Sequence, residues 1–556
     1  MRLKPLAFAA SLSLVLAGAA PAQLPAQPPA GPTFSADRFK AHVAFLADDR
    51  LEGRDTGSRG HEIAAAYVAS QFMALGLKPG GEDGGWFQYV PFRSATLAGT
   101  PTIAITGPGG TLALDNGKGA IVGASLSEEK QDVSAPVVFA GYGVDAPKLG
   151  MDDYKGLDVR GKIVAVFAGI PSGLPSEIAA HMGDEKGAMA ARRGAVGMIT
   201  LYTAAYAKAR PFAAMAARAG RASLGWIGKN GKGHEDAPGL RFTMSVDDAT
   251  AAALFAGAGK RFADVRAVAD AGKRPAGFPL KSQVRLQRTS AWSEIKSPEV
   301  IGILPGADPA LKDEYVILMG HLDHLGVRKN AKPGEDAIYN GALDNAAGVA
   351  TTLEVARGFV ESGKRPRRSV LFIANTGEEK GLLGASYFAS NPTVPVGKIA
   401  AAVDLDMPLL LYRFTDVIAF GGDHSQVAET VRRAAGEMGV ALSPDPMPQE
   451  NIFVRSDHYE FVKEGVPAIM LATGWANGGG AKWQDFLAHA YHKVNDDMSQ
   501  PIDWESGARY ARLNYLISRD LADADRRPLW YKGDFFGDLF APNRPKADRP
   551  AVAAGK

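Results

Sequence analysis

The sequence contains no cysteine among its 556 residues. This absence excludes disulfide bonds, thiolate metal sites, iron–sulfur clusters and cysteine nucleophiles. Any bound metal ion must therefore be held by His, Asp and Glu. An excess of one charge is also lacking, since 62 Lys and Arg face 60 Asp and Glu and leave a formal net charge of +2. This balance gives no general electrostatic reason to expect nucleic acid or an anionic membrane as a partner.

The N-terminus carries an apolar stretch of the kind found in targeting signals. Arg2 and Lys4 precede the apolar residues 6–17, and residues 20–22 (APA) offer a small-residue cleavage site, a pattern typical of a signal peptide. We expect residues 1–22 to be removed and the mature chain to be exported, to a periplasm or out of the cell. The run is short for a bilayer span, and no later segment offers about 18 uninterrupted apolar residues. We therefore expect no stable membrane anchor.

The rest of the chain shows two successive patterns of apolar residues and turn residues. From about residue 120 to 285, short apolar strands alternate with Gly-rich turns, which predicts a compact insertion dominated by strands. After residue 290, short apolar strands separated by helices predict an α/β fold, a mainly parallel mixed sheet flanked by helices. Strands are expected at 314–320, 369–375, 400–406 and 467–473, and helices at 346–359, 425–438 and 505–520.

These shifts in composition divide the chain into six segments. They are a signal peptide at 1–22, a Pro-rich flexible leader at 23–34, the first part of the main domain at 35–119, the inserted domain at 120–285, the larger part of the main domain at 286–525, and a C-terminal tail at 526–556. A helix is expected from Ala36 to about Leu46 with Ser35 as its N-cap. The aromatic cluster of the tail is expected to dock on the body, and the residues from 541 onward are expected to lack fixed structure.

Five short motifs carry residues that could do chemistry. They are GHLDHLG (320–326), GALDNAAG (341–348), TGEEKG (376–381), DLDM (404–407) and AYHK (490–493). Four of them fall at predicted strand ends or in the loops beyond, at the edge where open α/β sheets bind ligands. Gathered there without cations, Asp323, Asp344, Glu378, Glu379 and Asp406 would be too costly to desolvate. Two divalent cations would nearly neutralise them, and His with carboxylates suits zinc, with Co²⁺ or Mn²⁺ as substitutes.

The residues alone leave some choices open. Each motif taken singly also fits a structural histidine, a helix cap or an exposed side chain. Asp404 and Asp406 share one face of the predicted strand, so alternation does not choose between them. Ser456, Asp457 and His458 are adjacent, and three adjacent residues cannot easily adopt the geometry of a serine triad.

The ordered set of motifs resembles that of the co-catalytic dizinc aminopeptidases of the secreted bacterial aminopeptidase S type. Relatives of that family include glutamate carboxypeptidase, glutaminyl cyclase and the transferrin receptor. The resemblance covers most of residues 35–525, including LADDRLEGRDTGSRG (46–60) and RSDHYEFVKEGVPAIML (455–471). The segment GYGVDAPKLGMDDYKGLDVRGKIV (141–164) resembles the protease-associated domain that many members carry as an insertion. The resemblance implies a zinc-peptidase fold of the phosphorylase/hydrolase-like type.

The resemblance also implies a role for each candidate residue. His321 and Asp406 would bind one zinc ion, Glu379 and His492 the other, with Asp344 bridging them, Glu378 as the general base and Asp323 orienting His321. The family's Asp-Met dipeptide favours Asp406 over Asp404. The implied reaction is hydrolysis of the N-terminal residue from short peptides with free N-termini, with a metal-bridging water as the nucleophile.

Three other interpretations remain. A glutaminyl cyclase would use a related fold with a single zinc ion for acyl transfer on N-terminal Gln. A carboxypeptidase of the same family would need a basic pocket, to which Arg413 and Arg455 could contribute. A non-enzymatic receptor-like protein would have lost metal ligands, and the motifs show no such loss.

Overall fold

Two hydrophobic cores organise the protein, whose computed structural model describes residues 31–550. One core gathers apolar side chains from Phe39 to Ala541, and the other is built from side chains between Ile103 and Leu286. The predicted signal peptide lies outside the described residues. No helix in residues 31–550 combines the length and the apolar character that a bilayer crossing requires.

Two helices and two strands lead the chain into the first core. They are α1 (Ala36–Leu46), α2 (Arg59–Ala74), β1 (Lys78–Pro79) and β2 (Phe87–Leu97). Ser35 caps α1 as expected, because its hydroxyl accepts a hydrogen bond from the backbone N–H of Arg38. Phe39, Val43 and Leu46 recur at the spacing of one helical face, and all three are buried. The cap and the apolar face together fix the position of α1.

The second core is built by side chains from Ile103 to Leu286, so it begins before the predicted start of the inserted segment at residue 120. The elements that follow β2 are β3 (Thr102–Gly107), β4 (Gly110–Asn116), β5 (Gly119–Ile121), β6 (Lys130–Phe139), β7 (Asp145–Ala146), β8 (Met151–Asp152), β9 (Ile163–Phe167), α3 (Ser176–Asp184), α4 (Lys186–Arg192), β10 (Gly197–Leu201), α5 (Ala204–Ala209), α6 (Phe212–Ala216), β11 (Ser223–Trp226), β12 (Thr243–Val246), α7 (Asp248–Leu254) and α8 (Phe262–Asp270). β9 runs parallel to β6 and β10 on either side. All residues of β9 are buried, which places this strand at the centre of the inserted core.

A single long strand, β13 (Phe278–Leu304), connects the two cores. Its first part pairs antiparallel with β3 and β6, and its second part pairs antiparallel with β2. Exposed side chains alternate with buried ones in the first part, whereas residues 297–302 are buried on both faces. The first part of β13 is not predicted from apolar runs in the sequence. Its exposed face is polar, so polar residues alternate with the apolar ones and no continuous apolar run forms.

The remaining elements complete the main domain. They are β14 (Tyr315–His321), α9 (Ala347–Glu361), β15 (Ser369–Asn375), α10 (Leu383–Ser390), β16 (Ile399–Asp404), β17 (Asp416–Phe420), α11 (Val427–Glu437), β18 (Ala441–Ser443), α12 (His458–Lys463), β19 (Ala468–Thr473), α13 (Gly479–His489), α14 (Trp504–Asp523), β20 (Trp530–Tyr531), α15 (Phe535–Phe540) and β21 (Lys546–Ala547). The central order is β2–β13–β15–β14–β16–β19–β17–β18, in which β15, β14, β16 and β19 are parallel. The predicted α/β fold with a mainly parallel mixed sheet is confirmed.

Three parallel strands end at the same edge of this sheet. His321, the last residue of β14, is in register with Asn375, the last residue of β15. Met319 is in register with Asp404, the last residue of β16. Because the carboxyl ends of parallel strands meet at one edge, the loops that follow them bring the sequence motifs together there.

The C-terminal segment is ordered farther than the sequence predicts. β21 pairs with β20, so regular structure continues to Ala547 instead of ending before residue 541. The reason is the anchoring of β20, because the buried Trp530 donates from its indole N–H to the carbonyl of Gly465 at 3.0 Å. Phe536 is also buried, which places the aromatic cluster against the body.

Candidate metal centre

The loops at this edge bring together all five side chains that the family resemblance assigns to metal binding. His321 Nε2 lies 3.2 Å from Asp344 Oδ1 and 3.2 Å from Asp406 Oδ1. His492 Nε2 lies 3.4 Å from Asp344 Oδ2 and 3.3 Å from Glu379 Oε2. Asp344 therefore faces one histidine with each of its oxygens, as a bridging ligand would.

The spacing of these atoms fits zinc. Nitrogen and oxygen ligands bind zinc at about 2.0–2.1 Å, so the ligand atoms around one tetrahedral ion are about 3.3–3.4 Å apart. The separations around His321 and around His492 match this value. Asp344 Oδ2 is also buried without a hydrogen-bond partner in the described part of the chain. Two zinc ions held by these residues would satisfy the donor set without any thiolate.

The electrostatics of the cluster indicate a need for cations. Burial raises the pKa of Glu378 well above its ordinary value, and burial together with the charge of Asp344 raises the pKa of Glu379 to about 8. Burial alone would also raise the pKa of Asp344, but hydrogen bonds with His321 and His492 hold it well below its ordinary range. Divalent cations at the cluster would favour the ionised forms of both glutamates, so metal binding and proton release would be coupled.

Close backbone packing fixes the segment that carries Asp344. Gly348 lies at the start of α9, where a Cβ atom would come within 2.0 Å of the carbonyl oxygen of Leu405. Asn345 donates from its side-chain amide to the same carbonyl at 2.9 Å. The GALDNAAG and DLDM motifs are thus in direct contact, which places Asp344 and Asp406 on facing loops.

The structure distinguishes Asp406 from Asp404. Asp406 contacts His321, whereas Asp404 is fully buried beneath it at the end of β16. The hydroxyl of Ser456 lies 2.6 Å from Asp404 Oδ2 and 2.7 Å from Asp406 Oδ2, so it connects the two carboxylates. His458 Nδ1 contacts Asp404 Oδ2 at 3.4 Å and takes no part in a serine triad. Ser456 and His458 therefore support the loop that carries Asp406 through their contacts with Asp404.

Asp323 is placed differently from the implied arrangement. Its backbone carbonyl, not its carboxylate, lies 3.0 Å from His321 Nδ1, because the chain turns directly after β14. The carboxylate accepts hydrogen bonds from the hydroxyl of Thr56 at 2.9 Å and from the backbone N–H of Glu378 at 3.2 Å. Asp323 therefore positions the Glu378 loop with its side chain and His321 with its backbone.

Arg54 is a buried residue of the site that the sequence motifs leave without a role. Its guanidinium donates to the carbonyls of Leu322 at 2.9 Å, Asn340 at 2.6 Å and Gly341 at 3.1 Å, and also to the carbonyl of Leu46. These bonds tie the GHLDHLG loop to the GALDNAAG loop. The only sequence signal is the segment LEGRDTGSRG, which belongs to the resemblance but offers no ligand.

Asp496 is a second such residue. It is fully buried, and its carboxylate accepts hydrogen bonds from the backbone N–H groups of Leu343 and Asp344, both at 2.9 Å. It therefore fixes the backbone of the bridging residue. It follows the AYHK motif by three residues in a polar stretch, and nothing in that stretch distinguishes it from a solvent-exposed acid.

Two cavities open on the metal cluster. The first has a volume of about 310 Å³, and its wall is formed by Met407, Met447, Ile452, Met470, Trp483 and Leu487. Glu450 and Arg455 also line it. The second cavity has a volume of about 410 Å³ and is lined in part by His181, Asp184 and Glu185 of the inserted segment. Glu378 and His492 border both cavities, so the cluster lies where they meet.

Comparison with known proteins agrees with this geometry. Residues 299–517 match the model of peptidase family M28. A "Probable zinc metalloprotease" of Pyrenophora tritici-repentis is 36% identical over 260 residues, which cover 41% of this chain and 58% of that relative. This segment is therefore similar to peptidase family M28. The predicted resemblance to a family of zinc-dependent peptidases is confirmed for this segment, and the chain spans little more than half the length of this relative.

Two solved structures are similar over most of the chain. The "Aminopeptidase from Aneurinibacillus sp. strain AM-1" has a TM-score of 0.48 and 19% identity, covering 89% of this chain and 96% of that chain. BSAP, a zinc aminopeptidase from Bacillus subtilis, has a TM-score of 0.44 and 18% identity, covering 89% of this chain and 98% of that chain.

The comparisons correct one expectation. The predicted periplasmic or secreted location is wrong, because curated relatives from Pyricularia oryzae, Verticillium alfalfae and Sclerotinia sclerotiorum carry the name "Vacuolar membrane protease". A signal-like N-terminus does not by itself identify the compartment, since the same n-region and apolar stretch direct proteins to several destinations.

Proposed function

We propose that the protein is a dizinc aminopeptidase that hydrolyses the N-terminal residue of short peptides and prefers large apolar side chains at that position. One observation carries this proposal. Two groups of ligand atoms share Asp344 and lie beside Glu378 at the mouth of an apolar cavity.

Glu378 is suited to be the general base. It borders both cavities, and its backbone N–H is held by Asp323 at 3.2 Å. Two zinc ions bound at the cluster would lower the pKa of a shared water and polarise the scissile carbonyl. The carboxylate of Glu378 would accept a proton from the attacking water at one of its Oε atoms and return it to the leaving amine. A pKa raised by burial favours this exchange.

The charges around the first cavity favour a substrate amine over a substrate carboxylate. The cluster itself supplies the carboxylates of Asp344, Glu378, Glu379 and Asp406. In the part of the chain that the structure describes, Arg455 is the one basic side chain other than histidine that lines the first cavity. It donates to the carbonyl of Glu450 at 3.0 Å and lies 3.5 Å from the Glu450 carboxylate, so a carboxylate of the protein already accompanies its charge.

The carboxypeptidase alternative lacks support from these contacts. Arg413 lines neither cavity, although the sequence offers it as a contributor to a basic pocket. Recognition of a C-terminal carboxylate would require a bidentate or clustered basic group close to the metal ligands. The single-zinc alternative is also disfavoured, since both groups of ligand atoms are assembled.

The composition of the first cavity supports the preference for an apolar side chain. A volume of about 310 Å³ is at the small end of ligand pockets and suits one large side chain. Three of its wall residues, Met407, Met447 and Met470, are flexible and adapt to both linear and branched side chains. We therefore expect N-terminal Leu, Met and Phe to be removed faster than Asp, Glu or Gly.

The test uses matched peptides that differ only at the N-terminal residue or in N-terminal acetylation, with mass-spectrometric readout of which end shortens. We expect stepwise removal from the free N-terminus and little action on the acetylated copies. Equal cleavage of acetylated and free peptides would reject the aminopeptidase assignment. Shortening from the C-terminus would indicate the carboxypeptidase alternative, and cyclisation of N-terminal Gln without hydrolysis would indicate the cyclase.

A further inference from the structure

His324 is a buried imidazole beside the metal cluster to which neither the motifs nor the proposed mechanism gives a role. It is fully buried, and its ring packs edge-on against the ring of His492 with centroids 6.1 Å apart. Its Nδ1 atom lies 2.6 Å from Glu379 Oε1. A ring nitrogen of His324 also lies within 4.8 Å of a carboxylate oxygen of Asp344, so proximity alone would allow His324 to be a metal ligand in place of His492.

The distances separate these two roles. Ligand atoms around one tetrahedral zinc ion are about 3.3–3.4 Å apart, and the His492 contacts with Glu379 and Asp344 have that length. The contact between His324 and Glu379 is shorter, at 2.6 Å, which is too close for two ligand atoms of one tetrahedral zinc ion. It also involves the other oxygen, because His324 meets Oε1 while His492 meets Oε2.

The position of His324 is fixed by its surroundings. Its backbone N–H donates to the carbonyl of Arg54 at 3.2 Å. A Cβ atom on Gly341 would come within 2.7 Å of the imidazole, so the glycine allows the ring to pack against the backbone. In residues 31–550, neither imidazole nitrogen nor Glu379 Oε1 makes an aligned hydrogen bond, so the 2.6 Å approach of Nδ1 to Oε1 brings together two buried polar atoms that each lack a partner. A buried donor and a buried acceptor at this distance gain most from each other.

We propose that His324 is a positioning residue for Glu379. Donation from its Nδ1–H to Oε1 holds the carboxylate so that Oε2 faces His492 and the second ion. This inference rests on the two-ion site of the proposed function. Partners that orient a ligand in this way are typically worth about 10- to 100-fold in metal affinity.

The experiment titrates zinc into the metal-stripped full-length chain by calorimetry and follows Co²⁺ loading by visible absorption. His324→Leu removes the donor and keeps an apolar side chain of similar bulk. His324→Asn keeps an amide N–H near the position of Nδ1. His489→Leu is the matched control, since the side chain of His489 is 75% exposed on α13.

We expect two equivalents of zinc in the unmodified protein. In His324→Leu, one equivalent should keep its affinity while the other weakens by about 10- to 100-fold and its Co²⁺ absorption changes, whereas His324→Asn should stay within about threefold of the unmodified protein. The proposal is overturned if His324→Leu keeps both affinities, if both equivalents weaken together, or if His324→Asn weakens as much as His324→Leu. A single equivalent in the unmodified protein would instead overturn the two-ion site itself.

Discussion

Glu378 and Glu379 are adjacent in sequence but face different surroundings. Glu379 Oε2 contacts His492 at 3.3 Å, in the group that fits a metal ion. Glu378 contacts neither histidine of the cluster and borders both cavities. Adjacent residues in a loop point in different directions, so under the proposed function one carboxylate would bind metal while the other would face a water molecule.

The first prediction concerns Glu378→Gln. The variant should bind two equivalents of zinc and keep its melting temperature, while kcat falls by about 10² to 10⁴, because the amide cannot accept a proton. Steady-state kinetics and metal analysis measure these quantities. Glu437→Gln on the surface of α11 is the control. Loss of zinc together with activity would mean that the roles of Glu378 and Glu379 are exchanged.

The second prediction concerns the wall of the first cavity. Leu487→Glu introduces a carboxylate there, so kcat/KM should fall by about 10- to 200-fold for an N-terminal Leu substrate and rise for the matched Lys substrate. Leu539→Glu, at an exposed leucine of α15, should leave both values unchanged. An equal effect of the two substitutions would show that Leu487 does not contact the substrate side chain.

The third prediction compares two arginines that are four residues apart. Arg54→Met leaves buried carbonyl groups without a donor, at about 1–3 kcal/mol for each. We expect a lower melting temperature and weaker zinc binding, because the two ligand-bearing loops lose their connection. Arg50→Met should change neither, since the side chain of Arg50 is 85% exposed. Unchanged zinc affinity in Arg54→Met would show that the loops are held by other contacts.

Among the secondary-structure elements, α3 is the part of the inserted segment that contacts the main domain beside the cavities. Glu177 of α3 accepts from His424 Nε2 at 3.0 Å, and Asp534, at the start of α15, accepts from His424 Nδ1 at 2.7 Å. His181 Nδ1 of the same helix lies 2.7 Å from the hydroxyl of Tyr459. One histidine therefore joins the inserted segment, the main domain and the C-terminal segment.

The fourth prediction is a loss of stability at alkaline pH. Burial would lower the pKa of His424, but the bonds to Asp534 and Glu177 outweigh it and raise the pKa to about 9. The folded pKa exceeds the unfolded value of 6.5, so the stabilisation is complete below pH 6.5 and is lost as the pH rises through about 9. Urea unfolding should show a decrease on the order of 3 kcal/mol across this interval.

The matched variant for this prediction is His424→Gln. It should be less stable at pH 6 and should lack the decrease between pH 6.5 and 9. His489→Gln, at an exposed histidine, should retain the decrease. A decrease of the same size in His424→Gln would assign the alkaline transition to other groups.

At the scale of the whole molecule, most elements follow from the sequence and the site follows only in part. β15 begins and ends at the predicted residues, because an apolar run bounded by polar residues marks a buried strand. The five candidate ligands are identified by the ordered motifs. The bonds of Arg54 do not, because they join carbonyls of segments that are remote in sequence. The placement of the Asp323 carbonyl depends on a single turn, which motif spacing cannot determine.

The fifth prediction concerns metal removal from the entire protein. Chelation should abolish peptide hydrolysis and lower the melting temperature, because ions that bind only the folded chain stabilise it by about 4 kcal/mol at a thousandfold excess over Kd. Scanning fluorimetry after re-addition should show recovery with Zn²⁺, Co²⁺ or Mn²⁺ but not with Mg²⁺, which prefers oxygen ligands alone. Full activity in a verified metal-free preparation would contradict the assignment.

The single strand β13 passes through both hydrophobic cores, and this continuity sets a rule for changes in its length. Successive side chains of a strand point to opposite faces, so deleting one residue between Thr289 and Ala291 would turn over every side chain on one side of the cut. Leu286 and Val284 would then face solvent, or Val300 and Ile301 would exchange faces in the main sheet. Removing two residues would keep the faces and shift only the register. Insertions and deletions at this junction should therefore occur in even numbers of residues. The strand thus links the side-chain orientation in one core to that in the other.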